Sequence, residues 1–477
     1  MKKISIVACS LLAGLFTLQS CDDVDDQVVP VNDFIWKGLN QFYLWQEDVP
    51  NLSDSKFANQ GELNAFLGTY SSPTTLFEDL LYRRDAQNNA ADRFSVMTSD
   101  YRTLENLLVG VAVSNGMEFG LVPRGSSGTY YGYVRYVLPD TDAADKGLLR
   151  GDLFYAVNGT EITAENYYQL LYTQTTYTLN MADYNGGNIT PNGRTVSLTK
   201  SQYAENPIYL ANTYTTGSHK IGYLMYNGFY NPYDNQLNNV FGQFASDGVT
   251  DLVLDLRYNG GGSVNTATRL GSMITGQFNG QLFAKEQWNS KMEAYYKDKN
   301  PGSLVINFPE SLGSGVAINS LHLNKVYVLV TGATASASEL VINSLKPYID
   351  VTVIGSRTVG KNMASVTLYD SFDFSSKGKN NAHRYAMQPL VLKTVNKDGL
   401  SDYTNGMIPD DIYPENYGNL GVLGDPSERL YQEAIRLITQ TGRRADSGDT
   451  DAVEIFKDSK SMRPFGNDMY IENLPQL

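Results

Sequence analysis

Apolar positions recur along this chain with two different periods, and the changes of period mark its parts. In "DFIWKGLNQFYLW", Phe34, Leu39, Phe42 and Trp45 fall near the helical repeat, and "LFEDLLYRR" and "YRTLENLLVG" continue it. Residues 33–108 therefore read as a helical domain, with "ADRFSVM" between its last two helices. Such a domain either caps the rest of the molecule or forms a lid over a site. From 109 to 204 the runs shorten: "GYVRYVLPD" and "DLFYAVNG" look like strands, glycines punctuate them, and "AENYYQLLYT" looks like a helix. That pattern predicts a small β-rich domain. Over 205–440, buried-type strands ("HKIGYLMYNGF", "TDLVLDLRYNGGG", "LNKVYVLVTG", "IDVTVIGSRTVGK") alternate with helical stretches ("PYDNQLNNVFGQFASDG", "NTATRLGSMITG", "SASELVINSLKPY"). This alternation predicts an α/β core, a mostly parallel sheet with crossover helices. The polar run "GRRADSGDTDA" then opens a loose tail over 441–477.

Composition supports such a core and narrows the partners. Hydrophobic residues make up 42% and aromatic residues 12% of the 477, enough for two or three domains. The formal net charge of −14 argues against nucleic-acid binding, which needs a basic surface. Lys2 and Lys3 precede the apolar run "ISIVACSLLAGLFTL", too short to span a bilayer comfortably, so residues 1–20 read as a signal peptide. It ends in "LQSC", which resembles the lipobox of bacterial lipoproteins. The resemblance implies cleavage before Cys21, lipidation of Cys21 and a membrane anchor in the cell envelope. The acidic tether 21–32, "CDDVDDQVVPVN", resembles export signals of surface lipoproteins in Bacteroidetes. An outer-membrane lipoprotein, periplasmic or surface-exposed, is the expectation. Only Cys9 and Cys21 occur, so a mature chain holds neither a disulfide nor a thiol catalyst nor a cysteine zinc site. With three scattered histidines, no metal and no cofactor are expected.

Within the β-rich domain, "DTDAADKGLLRGDLFYAVNGTEI" at 140–162 resembles the core of a PDZ domain. "MEFGLV" at 117–122 stands where PDZ domains keep their carboxylate loop. The resemblance implies that Phe119, Gly120 and Leu121 bind a peptide tail, whose chain adds a strand to the sheet edge.

The chemistry-bearing residues gather at strand ends. Ligands of open parallel sheets bind beyond the carboxyl ends of the strands. The strand at 251–257 runs into Asn259-Gly260-Gly261-Gly262, that at 325–331 runs toward Ser336, and that at 351–355 leads to Gly360-Lys361. Parallel strands would bring the three to one edge. A serine at a helix start gains from free amides and the positive end of the dipole. The amides of Gly261 and Ala337 can form an oxyanion hole. A buried lysine can serve as general base. Taken alone, Ser336 is a helix cap and Lys361 a solvated surface lysine. The glycine run lacks the Lys-Ser/Thr of a phosphate loop. A Ser–His pair stays open, although His219 and His383 stand in polar surroundings that predict exposure, and His322 precedes a strand.

"TASASE", a following "GK" with Ser336 and Lys361 twenty-five residues apart, "LDLRYNGGG" and the late "GMIPDDIY" together resemble the carboxyl-terminal processing (tail-specific) serine proteases. The likeness extends over about 110–440, and the helical part before it resembles that of Bacteroidetes members. It implies a ClpP/crotonase-like core, Ser336 as nucleophile, Lys361 as base, Gly261 and Ala337 as oxyanion donors, and protein or peptide substrates. Ser338 and Glu339 read as helix-start and packing residues. Three positions depart from the family pattern: Gly260 replaces its proline, Asn362 a glycine, and Ser365 the glutamine that orients the lysine. Ser365 is thus a possible orienting residue. The alternative is a weak or inactive homologue that binds peptides or glycans at the cell surface.

Overall fold

The computed structural model describes residues 30–83, 91–186, 188–442, 455–464 and 466–474. The expected signal peptide, Cys21 and the tether through residue 29 lie outside these residues.

Six strands form the central sheet, in the order Ile208–Thr216, His219–Tyr226, Asp251–Asp255, Lys325–Val330, Asp350–Gly355, Asp411–Ile412. The first pair is an antiparallel hairpin, and every later pair is parallel. Parallel neighbours need long crossovers. Helices Asp234–Asp247, Val264–Thr275 and Ala337–Leu345 lie in these connections. Both faces are covered, which is why the strands read as continuous apolar runs. Leu224, Leu254, Val328 and Val353 enter one core with the crossover helices. Tyr223, Val253, Leu329 and Ile354 enter another, closed by Leu430, Tyr431, Ala434 and Ile438 of helix Arg429–Thr439.

A second sheet corrects the expectation of one mostly parallel layer. Its order is Gly262–Ser263, Met469–Ile471, Met363–Val366, Leu390–Val395, Leu282–Trp288, Val305–Asn307, with antiparallel and parallel pairs mixed. Its members come from distant parts of the chain and are mostly short. Local periodicity carries no record of such pairing.

Helices Pro30–Phe42, Gln60–Leu67, Pro73–Asp79 and Tyr101–Leu108 form most of the N-terminal part. Phe34, Leu39, Phe42, Leu76 and Phe77 are buried in the same core as the crossover helices, so this part caps the α/β unit. The β-rich domain is a seven-stranded sheet around Met117, Phe119, Leu121, Val134, Phe154 and Leu179. "AENYYQLLYT" yields only a π-helical turn at Gln169–Thr173. The tail is not loose where it is described. Lys457–Asp458 pairs with Met117–Pro123 at the edge of the β-rich sheet, and Met469–Ile471 lies inside the second sheet.

Candidate active site

Three loops leave the carboxyl ends of adjacent parallel strands and are stitched together by hydrogen bonds. Thr334 Oγ1 donates to the Leu256 carbonyl (2.8 Å), Ala335 N–H to the Asn259 carbonyl (3.0 Å), and Val359 N–H to the Thr334 carbonyl (3.0 Å). The glycine turn, Ser336 and Lys361 thereby share one place, as the sequence suggested.

Ser336 precedes helix Ala337–Leu345 and is fully buried. Its backbone stands at φ 67° and ψ −116°, a region L-residues rarely occupy. Such strain costs about 1–3 kcal/mol and persists where the surroundings enforce it. Its Oγ faces the Glu339 N–H in a capping-box arrangement, yet it makes no hydrogen bond within normal geometry among the described residues. A plain capping serine would use that oxygen.

Glu339, one turn into the helix, does the fastening. Its Oε2 accepts both Ser336 N–H and Lys361 N–H, each at 2.8 Å. Its Oε1 accepts Gly360 N–H (2.8 Å) and the Thr358 hydroxyl. The amides of Ser336 and Lys361 are therefore no further apart than two hydrogen bonds. Burial pushes the Glu339 carboxyl above its ordinary range, and these four donors hold it back. The Thr358 hydroxyl also accepts Met407 N–H (2.7 Å), and a Cβ on Gly406 would lie 2.1 Å from the Thr358 carbonyl. The late "GMIPDD" segment thus packs on the loop that carries Lys361.

The Lys361 side chain is buried, 1% exposed. Its ammonium lies 5.1 Å from the centre of the Phe94 ring and donates to Asp468 Oδ1 at 2.7 Å. Ser365 Oγ donates to the same oxygen at 2.8 Å, so Ser365 reaches the lysine only through Asp468. Gly261 has φ 113°, and a methyl there would lie 2.6 Å from Ser336 Cβ and 2.9 Å from its Oγ. Only glycine fits between the turn and the serine. Gly261 N–H donates to Asn259 Oδ1 at 2.9 Å, so stabilising an oxyanion requires that bond to be shared or released. Ala337 supplies the first amide of the helix.

A family model for the peptidase S41 family matches residues 220–378, which include Gly261, Ser336 and Lys361, and one for the S41 N-terminal domain matches 30–96. The chain is 26% identical to a carboxyl-terminal-processing protease of Picosynechococcus over 52% of each chain. It is 27% identical to a chloroplastic C-terminal processing peptidase of Tetradesmus obliquus, over 61% of this chain and 60% of that one. The match thus spans only half to three fifths of those curated relatives. A candidate S41 protease of Bacteroides fragilis superposes with a TM-score of 0.66 at 26% identity, covering 86% of this chain and 98% of that one. Over those two stretches the chain matches peptidase family S41.

Several residues of the site lay outside the sequence expectation. Asn259 donates to the Tyr226 carbonyl (2.7 Å) and accepts Gly261 N–H. Its own carbonyl takes Ala335 N–H and Ser338 Oγ (3.1 Å), so Ser338 braces the turn. The sequence presents Glu339 as a helix-start and packing residue, and its place three residues after a helix-start serine is the signal for the fastening role. Phe94 and Asp468 carried no signal, because each meets Lys361 from a remote part of the chain. His219 pairs with Asp251 (2.8 Å) at the amino ends of parallel strands, opposite the site. His383 pairs with Asp370 (2.8 Å), and His322 is exposed. The expectation that His219 and His383 are exposed is corrected: both are half-buried. Phe119, Gly120 and Leu121 lie on the strand that the Lys457–Asp458 segment joins. Among the described residues no cluster of histidine, cysteine and acidic side chains is arranged to hold a metal.

Proposed function

We propose that this chain is a serine endopeptidase of the carboxyl-terminal processing type, acting through Ser336 and Lys361. The observation that carries this is the double acceptance at Glu339, which ties the amides of a strained serine and a buried lysine to one oxygen. In the reaction, neutral Lys361 takes the Ser336 proton as Oγ attacks a peptide carbonyl. The Ala337 and Gly261 amides hold the oxyanion, each worth about 2.7–4 kcal/mol of barrier. Lys361 returns the proton to the leaving amine, and water releases the acyl group from Ser336. The PDZ-like edge at Phe119–Leu121 engages the substrate chain by strand addition. We further propose that Cys21 is lipidated and anchors the protein in the cell envelope, which mass spectrometry of the membrane-extracted protein tests.

A fluorophosphonate probe tests the chemistry. We expect covalent labelling at Ser336 and none in Ser336→Ala or Lys361→Ala. Absence of labelling from pH 6 to 10, in the wild type and in Asp468→Asn alike, would favour the second reading, a peptide-binding homologue without turnover. The Lys361–Asp468 pair is the observation on that side.

A further inference from the structure

We propose that the PDZ-like edge and the cleft at Ser336 form one continuous peptide track, whose resident ligand is this chain's own C-terminal segment and whose acidic wall selects peptides with basic side chains. The consequence for turnover rests on the peptidase reading; the binding does not.

Residues 455–464 and 466–474 follow this track. At one end, Phe456 N–H and Ser459 N–H donate to the carbonyls of Leu121 (2.9 Å) and Phe119 (3.0 Å), and Ser459 Oγ accepts Phe119 N–H (3.0 Å). This is strand addition by an internal segment, with no chain-terminal carboxylate involved. Phe456 stacks on Tyr130 at 4.3 Å, and Met462 joins the domain's core. At the other end, Met469 and Tyr470 pair with Gly262 and Ser263 on one side, and Tyr470 with Ser365 on the other. A methyl built on Gly261 would lie 2.7 Å from the Asp468 carbonyl oxygen and 2.9 Å from Ser336 Oγ. The segment's backbone and the proposed nucleophile therefore flank the same small space beside Gly261.

Four charge pairs hold the segment to the body: Asp458 to Arg135 (3.4 Å), Lys460 to Glu205 (3.1 Å), Arg463 to Glu118, and Asp468 to Lys361 (2.7 Å). The body partners are 1–3% exposed, so a fitting peptide must offer cations opposite Glu118 and Glu205. The fit is imperfect. Among the described residues, Ser336 Oγ, Asp468 Oδ2 and both amide atoms of Asn227 are buried without hydrogen-bond partners. A permanent core satisfies nearly all such groups. The cavity left between the glycine turn and the segment is about 50 Å³, too small for a peptide. A substrate must therefore displace the segment. With Asp468 in place, Lys361 Nζ is engaged with Asp468 Oδ1 at 2.7 Å and is not free to take the serine proton.

The test uses the full chain carrying Ser459→Pro and Asp468→Asn, the fluorophosphonate probe, and a fluorescent synthetic peptide of residues 455–474. We expect Ser336 to label at least about tenfold faster than in wild type. The same double variant with Ser336→Ala should bind the peptide, and a peptide with Lys460→Glu and Arg463→Glu at least about tenfold more weakly. Ser459→Ala keeps every backbone hydrogen bond of the segment and should label at an intermediate rate. A folded double variant that labels no faster and binds no peptide overturns the proposal. So does wild-type labelling of Ser459→Ala, should the double variant fail to fold. Charge-selective peptide binding with no labelling in any form would sink the peptidase reading and leave the track standing.

Discussion

At the scale of single residues, the site depends on a carboxylate that touches neither a reacting proton nor a carbonyl. Glu339 accepts four donors from Ser336, Thr358, Gly360 and Lys361. A glutamine keeps its size but turns one acceptor oxygen into a donor that faces two other donors. Buried donors left unpaired cost about 1–3 kcal/mol each. Glu339→Gln should therefore lower unfolding stability by roughly 2–4 kcal/mol in denaturant titration, and slow fluorophosphonate labelling of Ser336. An unchanged denaturation midpoint with normal labelling would refute this bracing role. Gly261→Ala acts by collision instead: its methyl meets Ser336 Cβ at 2.6 Å, from a backbone at φ 113°. Loss of labelling is expected, with a stability cost of about 1–3 kcal/mol for the strained conformation. Ser336, Lys361 and Gly261 were legible in the sequence because each sits just beyond an apolar strand, where chemistry is placed. Asp468 and Phe94 were not, because their pairing with Lys361 spans long stretches of chain and is made by the fold alone.

At the scale of elements, strand order places the chemistry. Parallel strands at 251–255, 325–330 and 350–355 put three carboxyl ends side by side, and their apolar runs declared this before any coordinates. The second sheet stayed hidden, since two-residue strands such as Gly262–Ser263 leave no periodic trace. Also hidden was the joint between the β-rich domain and the core. Arg150, in the turn that resembles a PDZ domain, donates to the Arg135 carbonyl (2.7 Å), Tyr258 Oη (2.7 Å) and Glu415 Oε1 (2.8 Å). Arg257 of the "LDLR" strand end meets Asp255, Glu415 and Glu428 in the same buried network. Burial opposes charge on Glu415, but Arg150 and Arg257 outweigh it and pull the carboxyl down to about 2. Removing one member of a buried ionic cluster strands the others. Arg150→Ala should cost about 3–5 kcal/mol and loosen the β-rich domain. Hydrogen exchange checks this: amides of Met117–Val137 should gain exchange more than those of the central sheet, and uniform exchange would reject the joint.

At the scale of the whole molecule, an acidic chain of net charge −14 keeps one carboxyl in an apolar place far from its surface charges. Glu286 lies in the second sheet, 7% exposed, and accepts Trp288 Nε1–H at 3.0 Å. Burial pushes its carboxyl up from 4.5 to about 7, with the Trp288 bond pulling weakly the other way. The sign follows from proton binding. Between about pH 4.5 and 7 the folded chain keeps a proton that the unfolded chain has released, so this group makes stability fall as pH rises. Below that window both states are protonated, and above it both are ionised, so the contribution is flat at either end. Glu286→Gln carries no charge and retains an acceptor for Trp288. Its stability relative to wild type should climb from near zero at pH 4 to roughly 3 kcal/mol at pH 8. Taking the difference between the two chains cancels the other carboxyls, including Glu415, whose contribution is lost as pH falls toward 2. Parallel stability curves from pH 4 to 8 would show that Glu286 finds a charge partner or water that the fold does not reveal.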